Sequence, residues 1–160
     1  MAFTHTYRVR LGPWGLVARI GLDVGHAEAP PPDARVIGDP PVWWVPPPGI
    51  VPADEEWMRF GLGLVAGRLD ALRSGAGAVV VRVLDWEVPM LTDHQEEVAA
   101  AAVIECLRRH HGIDGVDIGV AFDRERNRYE FTWDASLRPV GRGGASGDAG
   151  RGWEGRSGAR

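Results

Sequence analysis

Lysine is absent from this chain: all 18 basic side chains among its 160 residues are arginine. The arginine-rich codon supply of a GC-rich genome is the expected source of that bias. The last 23 residues hold five arginines against Asp148 and Glu154 and so carry +3, which leaves −7 on residues 1–137 within a net charge of −4. Phosphate contacts need clustered cations, so an acidic body argues against broad nucleic-acid binding through the folded part. Cysteine is nearly absent too. Cys106 stands alone, which excludes an internal disulfide and a thiolate zinc cluster and points to a reduced compartment. No run approaches the roughly 18 uncharged apolar residues of a membrane span. Met1 to Arg10 alternate in polarity without the apolar centre of a signal peptide. The expectation is a cytoplasmic protein with no membrane partner.

What is present is an ordinary globular composition, 44% hydrophobic and 25% charged. One domain over residues 1–137 suits this length and buries a sizeable core without metals or cross-links. From Arg138 to Arg160 the composition changes, with eight glycines between Gly141 and Gly158 and few aliphatic side chains. Such a segment cannot offset its ordering entropy, so a disordered Gly/Arg-rich tail is expected over 138–160.

Thr6 to Leu11 alternates, Gly12-Pro13 signals a turn, and Ala18, Ile20, Leu22 and Val24 share one face of a second strand. Residues 29–52 hold nine of the twelve prolines, a density that predicts polyproline II and turns rather than helix or central strand. Asp54 reads as the N-cap of a helix whose stripe is Met58, Leu62, Val65, Leu69 and Leu72, broadened by Trp57, Phe60 and Leu64. Gly61, Gly63 and Gly67 each cost that helix about 1 kcal/mol and are expected to allow close approach to a sheet. Ser74 to Gly77 ends it. Val79, Val81 and Val83 mark one face of a strand, with Val80, Arg82, Leu84 and Trp86 on the other. A second helix opens at Thr92–Glu96 through a capping box, either Thr92 with Gln95 or Asp93 with Glu96, and closes at His110-His111-Gly112. Val116, Ile118, Val120 and Phe122 alternate, a turn follows at Asp123–Asn127, and Tyr129, Phe131 and Trp133 alternate as the partner strand. The predicted class is α/β, an α+β two-layer sandwich in the order β-β-α-β-α-β-β. Two helices lie on one face of a mixed four- to five-stranded sheet.

Chemistry-bearing patterns are sparse. No P-loop, nucleophile elbow or dinucleotide fingerprint occurs, and no two histidines have helical i, i+4 spacing. Neither a catalytic residue, a metal ligand nor a cofactor is expected. Cys106, mid-helix among alanines, reads as core. Asp85, Glu87 and His94 gather near one strand end with Asp93, Glu96 and Glu97; capping and solvent explain most of them, and acid–base chemistry is the sharper alternative. Trp43 and Trp44, framed by prolines, are either a partner anchor or a lid folded over the sheet.

Residues 49–109 resemble domain IV of elongation factor G and its relatives, including ribosomal-protection factors. The resembling pieces are Gly49-Ile50-Val51-Pro52 before a helix, Gly67 with Ala71-Leu72 and Gly75 at its end, the valine strand 79–83, and an acidic-capped helix at Asp93. Tyr7 to Val24 corresponds to the opening strands. The first helix is about one turn longer than the family's, the proline insertion has no counterpart, and the tip sequence is different. The resemblance implies the ribosomal protein S5 domain 2-like fold and a loop at the domain tip, here Pro89, Met90, Leu91 and Thr92. By that analogy the chain is a non-enzymatic binding domain whose partner is the ribosome or another protein. The binding residues are then Trp43, Trp44 and the tip. The alternative is an acidic inhibitor or immunity-type protein that blocks a basic partner enzyme.

Overall fold

Alternation in the first 27 residues builds an antiparallel hairpin, β1 (Ala2–Val9) with β2 (Leu16–Ala27). A computed structural model of the chain describes residues 2–39, 41–73, 75, 77–90 and 94–135. The expected tail at 138–160, and Leu91, Thr92 and Asp93, lie outside the described residues. Leu16, Ala18, Ile20 and Leu22 form the buried face of β2, as their period of two requires.

The proline-rich segment departs from expectation. It contains β3 (Arg35–Ile37) and β4 (Val42–Val45), and β4 lies inside the sheet. Prolines cannot donate to a ladder, but here they flank the four-residue run Val-Trp-Trp-Val instead of interrupting it, and that run is β-prone. Next come α1 (Pro52–Asp70), β5 (Ala78–Glu87) and α2 (Glu97–His111), followed by β6 (Val116–Asp123) and β7 (Arg128–Ala135). The five-stranded sheet runs β1-β2-β5-β4-β3 and is mixed, because β4 pairs parallel with β5 across the α1 connection. The fold is α+β, with the expected order of elements enlarged by the two extra strands. The last two strands do not join this sheet. They form a separate two-stranded sheet whose Val116, Ile118, Val120, Phe122, Tyr129, Phe131 and Trp133 pack against the common core.

In the helical layer, α2 lies against β1 and β2, and α1 against β3, β4 and β5. Val98 to Ile104 of α2 is buried without a break. A helix covered all round needs more than a sheet beneath it. Here α1 packs along α2, and the β6–β7 hairpin lies against both helices, with Trp133 on Trp57 and Phe60 of α1, Arg108 of α2 donating to the Val116 carbonyl and Gln95 bonded to Tyr129. Gly61 serves helix–helix contact rather than the expected helix–sheet approach. A Cβ there would lie 2.9 Å from the Cα and carbonyl oxygen of Ala100.

Two helix starts differ from the sequence reading. α1 begins at Pro52, with Val51 as N-cap and no capping side chain, because proline at the first position has no N–H to satisfy. Asp54 is therefore inside the first turn and buried. α2 begins at Glu97, with Glu96 at the cap position making no side-chain cap bond. Its C-terminus is the expected one, Gly112 at φ +63° donating to the Arg108 carbonyl.

A bulge corrects one face assignment. Gly21 pairs with Asp85 but Leu22 pairs with Val83, so Leu84 is the extra residue on β5. One inserted residue moves everything after it to the other face. Trp86 therefore sits opposite Ile20 and packs against the core, instead of sharing the outer face with Val80 and Arg82.

Candidate functional site

Three chain connections meet at one end of the sheet. Arg19 pairs with Glu87, so the end of β5 lies beside the β1–β2 connection, and the parallel β4–β5 pairing brings residues 46–51 to the same end. Leu11, Trp14, Val51 and Leu84 are exposed large apolar side chains at this end, and Met90 is 99% exposed. Tyr129 holds the β1–β2 connection in place. Its hydroxyl donates to the Trp14 carbonyl at 2.6 Å and accepts from the Leu11 and Gly12 amides at 3.0 and 3.1 Å. Gln95 fixes Tyr129 in turn, accepting from its amide at 2.6 Å and donating to its carbonyl at 2.9 Å. The side chain expected in a capping box thus acts as a short strand partner.

Beneath this surface is a polar cluster that sequence reasoning missed. Asp54, 4% exposed, accepts from the Trp86 indole N–H at 2.8 Å through Oδ2 and bonds His94 Nε2 at 3.1 Å through Oδ1. The Trp86 bond depends on the bulge at Leu84, and the His94 bond ties the segment after the tip to the first turn of α1. A cleft of about 270 Å³ opens beside Asp54, lined by Pro47, Pro48, Val51, Leu84, Asp85 and Trp86. An aspartate two residues after a proline carries a helix-start signal, and nothing local signals an indole 32 residues away.

The other expected site residues disperse. Trp43 and Trp44 pair with Val80 and Val81 of β5 and so point to opposite faces. Trp44 is fully buried beneath Arg35, whose guanidinium carbon is 5.8 Å from the ring centroid, and cannot anchor a partner. Trp43 is half-buried on the helix-free face, roughly 20 Å of strand from the tip. Pro89 and Met90 directly follow β5, and Leu91 and Thr92 lie outside the described residues. Asp85 and Glu87 do share a face, but the group they approach is Arg19, at 4.0 and 3.9 Å, while His94 turns to Asp54. The expected cluster Asp85/Glu87/His94 is therefore split. Glu97 binds Arg128 at 3.0 Å.

Cys106, Tyr7, His110 and His111 sit in packed surroundings. Burial pushes the Cys106 thiol up to about 11, leaving little thiolate for nucleophilic work. Burial, with Glu105 adding to it, pushes Tyr7 up to about 12. His110 stacks on Phe3 at 4.4 Å and His111 meets the same ring edge-on at 5.2 Å. Among the described residues no three His, Cys, Asp or Glu side chains converge as a metal site, and no helix is long and apolar enough to cross a membrane.

No family model matches the chain, and no curated protein matches it.

Proposed function

We propose that the chain is a non-enzymatic binding domain of the kind the elongation factor G domain IV resemblance implies, with a ribosomal component as its partner. Contact runs through the tip, Pro89, Met90, Leu91 and Thr92. The observation that carries this reading is Met90, a large apolar side chain 99% exposed on a loop rooted in the core strand β5. Burying a methionine side chain in a partner is worth about 1.5–3 kcal/mol. The surrounding exposed Leu11, Trp14, Val51 and Leu84 extend the apolar area, and the Tyr129 and Gln95 hydrogen bonds hold its rim rigid. Rigidity lowers the ordering cost of association. Trp44 drops out of the binding surface because it is buried, and Trp43 lies too far along the sheet to join the tip.

The test is capture from native host lysate with tagged protein, at low and moderate salt, beside Met90→Asp. Ribosomal subunits should be retained by the wild type and lost by the variant. A single stoichiometric non-ribosomal protein, released by salt, would sink this reading and favour the acidic inhibitor. That inhibitor would act through Asp85 and Glu87, whose side chains are more than half exposed.

A further inference from the structure

The five-stranded sheet ends in two open edges, β1 and β3. β3 is three residues long and bounded by prolines, the usual way of blunting an edge. β1 is different. It has eight residues, Ala-Phe-Thr-His-Thr-Tyr-Arg-Val, with no proline and one formal charge, Arg8. It pairs with β2 without a register shift, so no bulge twists it away. Among the described residues nothing pairs with its outer edge. The strands of the small sheet also have open edges, but each carries several charged side chains, Asp117 and Asp123 on β6 and Arg128 and Glu130 on β7, which guard an edge against pairing.

We propose that β1 pairs antiparallel with β1 of a second copy of this chain, across a two-fold axis at His5, joining the two sheets into one. In that register Thr4 faces the partner's Thr6 and Phe3 faces the partner's Tyr7. Threonine pairs and aromatic pairs are the cross-strand combinations that stabilise antiparallel ladders. The strand is self-complementary, as a two-fold interface requires. Thr4 and Thr6 are exposed on the helix-free face, while Phe3 and His5 are only half-buried under α2 and gain cover from the second copy.

The helices fit the same arrangement. Because α2 lies astride β1 and β2, pairing the two edges sets the two α2 helices about two strand spacings apart, roughly 10 Å, the distance at which helices ordinarily pack. Their directions are opposed. Glu105 and Arg109, one turn apart on α2, both act electrostatically on His5 at the axis, as does His110, and Glu105 is also paired with Arg108 of its own helix. Antiparallel helices there bring Glu105 of one copy toward the partner's Arg109.

Sedimentation equilibrium of the full chain over a wide concentration range tests this. The wild type should run at twice the chain mass of 17.4 kDa. Thr4→Asp/Thr6→Asp places like charges opposite each other twice and should raise the dissociation constant about tenfold or more. Thr4→Asp/Thr6→Lys places each new carboxylate opposite the partner's new ammonium and should stay dimeric. A wild type that is monomeric at every concentration overturns the proposal. So does a double-aspartate variant that remains dimeric, or a charge-swapped variant as monomeric as the double aspartate. The wild-type mass and the charge-swapped variant keep the test valid should the double aspartate fail to fold.

Discussion

At the scale of single residues, Asp54 is the side chain on which most depends. It joins the first turn of α1 to Trp86 of β5 and to His94 beyond the tip. Asp54→Ala leaves a half-buried indole N–H without an acceptor, at a cost of about 1–3 kcal/mol. Asp54→Asn keeps an acceptor for that N–H and should lose less. Urea midpoints of the two variants check this, and equal losses would show that the indole bond is not what Asp54 supplies. His5 and His111 bear on acid stability. Both are held below the ordinary 6.5, His5 by burial and then Arg109, His111 by burial and then His110. The unfolded chain takes up protons that the fold resists. Their contribution is thus present above about pH 6.5 and is lost as the pH falls through the lower folded values. His111→Phe should shrink the drop in stability between about pH 7 and pH 5, read from urea midpoints at the two values. An unchanged drop would remove His111 from the account.

At the scale of elements, the contact between α1 and α2 turns on one glycine. A side chain at Gly61 would run into the backbone of Ala100 at 2.9 Å, whereas a Cβ at Gly67 meets nothing within 4 Å. Gly61→Val should therefore destabilise by about 1–3 kcal/mol through overpacking, and Gly67→Ala should stabilise by up to about 1 kcal/mol through helix propensity. Each kcal/mol moves the melting temperature of a chain this size by roughly 2–4 °C, so thermal unfolding separates the two variants. If Gly61→Val melts with the wild type, the helices have room that the close approach denies them. The same residues show what was legible. Of the three helix glycines expected to allow a close approach, only Gly61 makes one, and to α2 rather than the sheet, because the partner of a helix face is chosen by the rest of the core. In β4, proline density argued against a strand; the decisive feature was the proline-free run Val42–Val45 between the prolines, with β5 beside it to pair.

At the scale of the whole molecule, period-two and helical patterns in the sequence determined the class, the five principal strands, both helices and the buried faces of β2, β6 and β7. These depend on local alternation of polar and apolar side chains, which each segment carries by itself. The end of β5 before Pro89 was legible for the same reason, as the break between a strand pattern and a helix pattern. Tertiary structure alone decided which strands share a sheet, because β6 and β7 pair with each other and pack on the common core without joining the larger sheet. It also decided the face of Trp86, since the bulge at Leu84 exists only in the pairing of β5 with β2. The pairing of Asp54 with Trp86 and His94 follows from that bulge. Contacts between residues 32 and 40 positions apart have no counterpart in local alternation.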